Sequence, residues 1–279
     1  MKHIYLNLKR FDIPPELGGV NRIAPVRDWG AYIVSQTQDQ LTQFDPSVVK
    51  FVQFLPEAHL ASALSALKRG SPVQVGSQGV YREDTAVGGN FGAFTTNRPA
   101  NAVKALGATA TLVGHCEERR DKAGILAEAG VVDPAAVNRI LNKEVKAAVA
   151  AGLSVLYCIG ETSEEQERWQ DVLSEQLSVG LSGVDTSRVV IAYEPVWAIG
   201  PGKTPPDRAY IEKIARFIKA QTNGMDIVYG GGLKVENAAM LASIPEIDGG
   251  LIALTRFSGE IGFYPDEYIE IIRTYLNAV

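Results

Sequence analysis

The sequence predicts an α/β fold, a closed (β/α)8 barrel spanning residues 1–279 as a single domain. Three observations lead there. Short apolar runs alternate with amphipathic stretches from one end of the chain to the other. The runs are apolar at consecutive positions, as expected of parallel strands buried on both faces. About eight such units fit into roughly 250 residues, the usual size of this barrel. An open doubly wound sheet is the structural alternative. No G-x-G-x-x-G follows the first run, which weakens a dinucleotide-binding version of it.

The elements follow in order. Ile4–Leu8 is the first strand-like run, and a long loop from Lys9 to about Val26 follows it, with Pro14-Pro15, Gly18-Gly19, Arg22 and Arg27. Val48–Phe54 and Val73–Gly76 are the next two runs. A second long loop extends from Gln78 to about Asn97 and carries Tyr81, Phe91, Phe94 and Gly88-Gly89. Ala108–Val113 is the fourth run. A helix is expected over Val137–Ala151, where Ile140, Leu141, Val145, Ala148 and Val149 share one face. Ser154–Ile159 is the fifth run. Thr162-Ser163-Glu164-Glu165 then reads as a capping box opening a helix over Glu164–Leu181. Val189–Tyr193, Asp226–Tyr229 and Gly250–Ala253 complete the strands. Helical patterns over Tyr210–Gln221 and Glu267–Leu276 complete the units. Both long loops follow strands, on the side where barrel active sites lie, or are plain surface decoration.

Composition excludes several classes. A net charge of −5 gives no reason to expect nucleic acid or an anionic membrane as partner. Cys116 and Cys158 are too few for a disulfide framework and match no metal-site spacing. The N-terminus lacks the apolar run of a signal peptide, and no run approaches the roughly 20 residues of a membrane span. A cytoplasmic protein is expected.

The most informative stretch is 191–204. A short strand delivers Glu194, and Pro195 follows at once with no N–H for a ladder. Then come Val196 and the apolar tip Trp197, Ala198 and Ile199, with Gly200 and Gly202 before Lys203 and Thr204. Apolar side chains on a loop are costly in water unless the loop closes over something. A strand-end carboxylate beside a closable lid suits a general base that works away from solvent. Gly202-Lys203-Thr204 is not the end of a P-loop, because Trp197 stands where that motif needs glycine.

Other strand ends offer weaker signals. Asn7 and Lys9 point to one side of the sheet, so Lys9 reads as fixed positive charge for an anion or as a solvated lysine. His115 follows the fourth run, as a proton-transfer group or as a surface histidine beside charges. Cys116 has no evident activating partner, which disfavours a thiol nucleophile. Gly231 and Gly232 in Tyr229-Gly230-Gly231-Gly232 would let backbone N–H groups approach an anion, or simply turn the chain.

Together these fragments resemble the triosephosphate isomerase family along almost the whole chain. The matching segments are Asn7-Leu8-Lys9, Gly92-Ala93-Phe94-Thr95, Val113-Gly114-His115-Cys116-Glu117, Cys158-Ile159-Gly160-Glu161, Tyr193-Glu194-Pro195-Val196-Trp197-Ala198-Ile199-Gly200 and Tyr229-Gly230-Gly231. The resemblance implies a TIM barrel isomerase that shuttles a proton between adjacent carbons of a small sugar phosphate through an enediolate. Glu194 is then the base and His115 the neutral electrophile. Lys9 is the electrostatic partner of the oxyanion and phosphate, assisted by Asn7. Glu117 is the carboxylate that orients Lys9. Gly200, Gly231 and Gly232 would bind substrate, and 195–204 would form the lid. Phe94 and Thr95 would sit in a loop that inserts into a second subunit, implying a homodimer. No metal or organic cofactor is required.

The departures from the family cluster at the phosphate end. Gly232 stands where the family has serine. Ala253-Leu254 stands where it has a Gly-Gly pair, and Leu254 restricts close backbone approach. Arg256 is a candidate replacement phosphate ligand through its guanidinium fork. Pro205 at the lid's second hinge has no N–H for the closed-state latch. The first and third loops are extended. These changes leave open an isomerase of a four-carbon sugar phosphate, such as erythrulose phosphate. A barrel kept only as a binding or scaffold protein would be marked by loss of Glu194, His115 or Lys9, and all are present.

Overall fold

Side chains buried at consecutive positions mark a strand covered on both faces, and the computed structural model, which describes residues 1–200 and 202–279, shows this along nearly every strand. Among these residues the strands are β1 (Lys2–Asn7), β2 (Val49–Leu55), β3 (Val73–Ser77), β4 (Ala110–Val113), β5 (Ser154–Ile159), β6 (Val189–Tyr193), β7 (Ile227–Tyr229) and β8 (Gly249–Ile252). They order as a closed barrel, β1 through β8 in sequence and back to β1. All eight expected runs become strands, with ends displaced by at most two residues. The helices are α1 (Trp29–Leu41), α2 (Glu57–Ala66), α3 (Ala100–Leu106), α4 (Cys116–Glu128), α5 (Pro134–Ala150), α6 (Trp169–Gly180), α7 (Arg208–Gln221), α8 (Val235–Ala242) and α9 (Pro265–Leu276). None is long and apolar enough to cross a membrane.

The chain divides into two compact units. The first comprises Met1–Gln78, Leu106–Ala110 and Val228–Val279. In it β1 lies between β2 and β8, with Tyr5 opposite Val52 on one side and Leu251 on the other. Ile4, Leu6, Phe51 and Phe54 are buried here. The long loop after β1 is pinned by polar contacts. Buried Asp12 accepts from Arg10 Nε at 2.9 Å and meets His59 Nε2 at 3.1 Å. Asn21 Nδ2 donates to the carbonyls of Asp12 and Ala24.

The second unit comprises Gly79–Ala105 and Thr111–Ile227. β5 pairs with β6, with Ile159 opposite Tyr193. α5 begins at Pro134 behind Asp133, whose carboxylate accepts from Ala136 N–H at 3.0 Å. Proline suits a first helical position because its missing N–H would have no partner there.

Two segments differ from the sequence expectation. The helix expected over Glu164–Leu181 is a 3-10 turn, Ser163–Arg168, and then α6. The capping box forms as expected, with Thr162 N–H donating to Glu165 Oε2 at 2.9 Å. Arg168 leaves the helical region (φ −119°, ψ 27°), so the α-helix restarts at Trp169. The second is α4, a helix of 13 residues over a charged run that carries no helical pattern in the sequence. Its residues Cys-Glu-Glu-Arg-Arg-Asp-Lys carry no apolar stripe, and none of its side chains is fully buried. Periodicity is therefore silent there, and its N-cap decides instead.

Candidate active site

Glu194 lies just past the C-terminal end of β6, with 1 % of its surface exposed. Its backbone is fixed by strand pairing, because Glu194 N–H donates to Ile159 O at 2.7 Å. The next residue along β5 has to be glycine. A Cβ on Gly160 would stand 1.7 Å from the Glu194 carbonyl oxygen. The carboxylate then makes two contacts: Oε2 accepts from Cys116 N–H at 2.9 Å, and Oε1 lies 3.1 Å from His115 Nε2.

His115 follows β4 and caps α4. Its Nδ1 accepts from Glu117 N–H at 3.3 Å, with Cys116 Sγ 3.6 Å away. A bare Nδ1 places the ring proton on Nε2, the nitrogen that faces Glu194. The peptide carrying His115 is clamped from both sides. Gly114, at φ +82°, donates its N–H to Glu118 Oε2 at 2.6 Å. Its carbonyl accepts from Arg119 Nε at 2.8 Å. Arg119 also donates to Cys158 O at 2.8 Å and Asn138 Oδ1 at 2.7 Å. Glu117 instead is exposed over 54 % of its side chain, with Oε2 3.7 Å from His115 Nδ1. The doubled Glu-Glu and Arg-Arg thus divide their work: Glu118 and Arg119 turn inward, while Glu117 and Arg120 face solvent.

Behind Glu118 lies a charge cluster. Lys122 Nζ is 2.9 Å from Glu118 Oε1 and 2.9 Å from Glu144 Oε1. Burial and the neighbouring Glu118 push the Glu144 carboxyl up to about 8. Lys122 is raised by both carboxylates despite its own burial, while Glu118 is lowered by Lys122 and its hydrogen bonds.

The lid begins at Pro195, and Val196–Ala198 form a single 3-10 turn. Trp197 Nε1 donates to Glu161 Oε1 at 2.8 Å. The same oxygen accepts from Tyr193 Oη at 2.9 Å and Tyr210 Oη at 3.0 Å. Glu161 is fully buried just past β5. Tyr210 also stands edge-on to Trp197, with ring centroids 5.5 Å apart. Burial and Glu161 push the Tyr210 hydroxyl up to about 12. Ala198 is buried and Ile199 half-buried, whereas Gly200, Gly202, Lys203, Thr204 and Pro205 are exposed. Gly200 (φ +119°) and Gly202 (φ +75°) flank Pro201, which lies outside the described residues. The phenol hydroxyl of Tyr210 belongs to this latch. Trp197→Phe keeps an aromatic ring against Tyr210 and removes the lid's hydrogen bond to Glu161, worth about 1 kcal/mol, which releases the lid from Glu161. An isothermal titration with a sugar-phosphate ligand is expected to show about fivefold tighter binding.

The first unit supplies the other candidates. Asn7 ends β1 and is buried, and its Oδ1 accepts from Lys9 N–H at 3.1 Å. Lys9 holds a left-handed backbone, φ +40°, which a non-glycine residue adopts only when its surroundings impose it. Gln78, directly after β3, imposes it by donating to Asn7 Oδ1 at 3.2 Å and Lys9 O at 3.0 Å. Gly231 and Gly232 follow β7. Gly232 adopts φ +99°, and its carbonyl accepts from Asn237 Nδ2 at 2.9 Å.

Arg256 lies in a small hairpin after β8, bridged to Gly262. Its Nε donates to Glu267 Oε1 at 2.8 Å, and its guanidinium lies 3.9 Å from the Tyr264 ring centroid. Thr255 Oγ1 donates to the other Glu267 oxygen at 2.8 Å. The fork expected to grip phosphate is therefore held by a carboxylate of the helix that follows it, α9. In the long loop of the second unit, Phe94 packs edge-on to Tyr81 at 5.7 Å, and Thr95 is exposed.

Within the second unit the fold brings Glu194, His115 and the lid together; within the first it joins Asn7 to Lys9. Sequence reasoning missed Glu161, Tyr210, Gln78 and Glu118 as working residues. Glu161 had a legible signal, a carboxylate just past a buried strand, as Glu194 is. Tyr210 and Gln78 have none, since their roles depend on partners distant in sequence.

Comparison with known proteins agrees with this fold. The family model "Triosephosphate isomerase" matches residues 31–273. The triosephosphate isomerase of Pelodictyon phaeoclathratiforme is 36 % identical over 215 residues, covering 73 % of this chain and 76 % of that protein. That of Syntrophotalea carbinolica is 35 % identical over 228 residues, covering 77 % and 80 %. The crystal structure of triosephosphate isomerase from Bartonella henselae superposes with a TM-score of 0.72 over 99 % of both chains, at 23 % identity. That likeness speaks to the fold, and the sequence matches speak to the family. The closed parallel barrel agrees with these matches, and the family model over residues 31–273 together with relatives at 35–36 % identity places the chain in the triosephosphate isomerase family.

Proposed function

We propose that this protein interconverts glyceraldehyde 3-phosphate and dihydroxyacetone phosphate. The observation that carries the reading is Glu194, a buried carboxylate against His115 Nε2 behind an apolar lid. Glu194 removes a proton from the carbon beside the substrate carbonyl and returns it to the neighbouring carbon. His115, with its proton on Nε2, donates to the carbonyl oxygen and takes a proton back from the adjacent hydroxyl. Lys9 supplies positive charge to the enediolate and phosphate, with Asn7 and Gln78 holding its strained backbone. Backbone N–H groups of Gly200, Gly231 and Gly232 face the phosphate.

The contacts of Glu194 describe a resting state. Its Oε2 must leave Cys116 N–H to reach a substrate carbon, as catalytic contacts rearrange on binding. Closure of Trp197, Ala198 and Ile199 then removes water from the carboxylate, which strengthens every charge interaction inside. With Arg256 held by Glu267, the backbone donors carry the phosphate grip, and Arg256 joins it only by exchanging Glu267 for phosphate. The protein is read as a cytoplasmic homodimer. Phe91, 91 % exposed in the loop after β3, is a residue that a second subunit would cover.

Incubation with dihydroxyacetone phosphate in deuterium oxide is expected to give carbon-bound deuterium and glyceraldehyde 3-phosphate. A parallel reaction with a four-carbon ketose phosphate tests the consequence of Leu254 and Gly232 at the phosphate end. Faster exchange into the four-carbon substrate would reassign the substrate. No exchange into either would refute the isomerase reading.

A further inference from the structure

His115, Cys116 and Glu194 hold a second chemistry besides proton transfer. One ligating atom from each, an imidazole nitrogen, a thiol sulfur and a carboxylate oxygen, lie within 4.8 Å of one another. We infer that these residues form a binding site for a thiophilic divalent cation such as Zn2+, which switches the enzyme off. The inference rests on the isomerase reading only for its consequence, inhibition; the site itself rests on the donor set.

The geometry fits the ion. Tetrahedral Zn2+ takes Cys sulfur at about 2.3 Å and His nitrogen at about 2.0 Å, which puts the two donors roughly 3.5 Å apart. Cys116 Sγ and His115 Nδ1 are 3.6 Å apart. Adjacent residues thus form one chelate once His115 Nδ1 gives up Glu117 N–H, and the buried carboxylate of Glu194, which rests beside Nε2, turns toward the ion as a third donor from the end of β6. The donor types are those that favour Zn2+ over Mg2+ or Ca2+, because sulfur and imidazole are softer than oxygen cages. Charge balances as well. A carboxylate and a thiolate together neutralise a divalent cation, and the thiol proton leaves to solvent on coordination. Cys116 is the first residue of α4, where the helix N-terminus favours a thiolate. Cys158 does not compete. It is fully buried, and burial together with Glu194 holds its thiol protonated.

Three protein donors leave a fourth position open, as in sites that exchange ligands. Bound there, the cation occupies the base and the imidazole at once, so substrate and metal exclude each other. An isomerase of this design is inhibited reversibly by free Zn2+ and released by a chelator.

The test uses the intact protein with two readouts. Co2+ titration is followed through the thiolate-to-cobalt charge-transfer absorption, which needs no enzymatic activity. Isomerase activity is measured against buffered free Zn2+, before and after EDTA. Wild type is expected to give a one-to-one cobalt complex with the thiolate band, and Zn2+ competes it away. Cys116→Ser removes the band and weakens Zn2+ inhibition by roughly a hundredfold, each variant being compared with itself without metal. Cys116→Ala behaves the same way, which excludes an effect peculiar to the serine hydroxyl. Absence of the band in wild type, or equal Zn2+ sensitivity in all three proteins, overturns the site. A cobalt band in a protein without isomerase activity would uphold the site and refute the isomerase reading. Isomerase activity without the band would do the reverse.

Discussion

Glu194→Asp is expected to lower kcat by about a hundredfold or more while the fold is retained, because it withdraws the base by one methylene. The shorter carboxylate loses contact with His115 Nε2, now 3.1 Å from Oε1, and falls short of the substrate carbon. A positioned base contributes roughly 10²–10⁴-fold, so Glu194→Gln, which removes it, sets the lower limit. KM is expected to change far less than kcat, since the proposed phosphate donors are Gly200, Gly231 and Gly232. Single-turnover kinetics in deuterium oxide separate proton abstraction from product release. Unchanged turnover in folded Glu194→Asp would mean that another group is the base. Backbone support makes the comparison clean, because the Glu194 N–H bond to Ile159 and the glycine at 160 do not depend on the side chain.

Lys122→Met is the substitution expected to cost the most stability. Lys122 is a cation held between Glu118 and Glu144, at 2.9 Å from each. Taking it away leaves two carboxylates facing each other in a largely buried site, at a cost of about 3 kcal/mol. Urea unfolding followed by circular dichroism measures it. The same cluster gives a signed pH dependence. Glu144 has a folded-state value raised from the ordinary 4.5 to about 8. The folded protein therefore binds more protons than the unfolded chain in that window. Stability from protonated Glu144 is fully present below the unfolded value and is lost as pH rises toward 8. Glu118 has the opposite sign, since its lowered value gives stability that is lost as pH falls below the ordinary carboxylate range. Lys122, raised above 10.5, is fully charged throughout the window. Glu144→Gln is thus expected to flatten the fall in urea midpoint between pH 5 and 8. An equal fall in variant and wild type would show that the proton resides elsewhere.

Both substitutions act on the support of His115. Glu118 bonds Gly114 N–H and Arg119 bonds Gly114 O, so the charge cluster sits directly behind the peptide that aims the imidazole. Neither role was legible in the run Cys-Glu-Glu-Arg-Arg. A charged run without apolar periodicity reads as a solvated turn. In the folded protein its first turn is capped by the His115 side chain, and its inward residues meet strand β5 and helix α5. The lid shows a similar division. Its apolar tip and its glycines could be read from residues 194–204. That Tyr193, Trp197 and Tyr210 all donate to one oxygen of Glu161 could not, because Tyr210 comes 49 positions after Glu161.

Sequence alone determined the strand positions, the barrel class, the family and the placement of Glu194 at the end of a strand beside an apolar loop. Those features are written in local patterns: β-branched apolar runs, strand-end carboxylates, and proline and glycine at fixed offsets. Tertiary structure decided which member of each doubled pair turns inward, that Arg256 is held by Glu267, that Lys9 is strained by Gln78, and that a thiol lies beside Glu194 and His115. These depend on distances between residues far apart in the chain, and such distances are set only when the strands and helices pack.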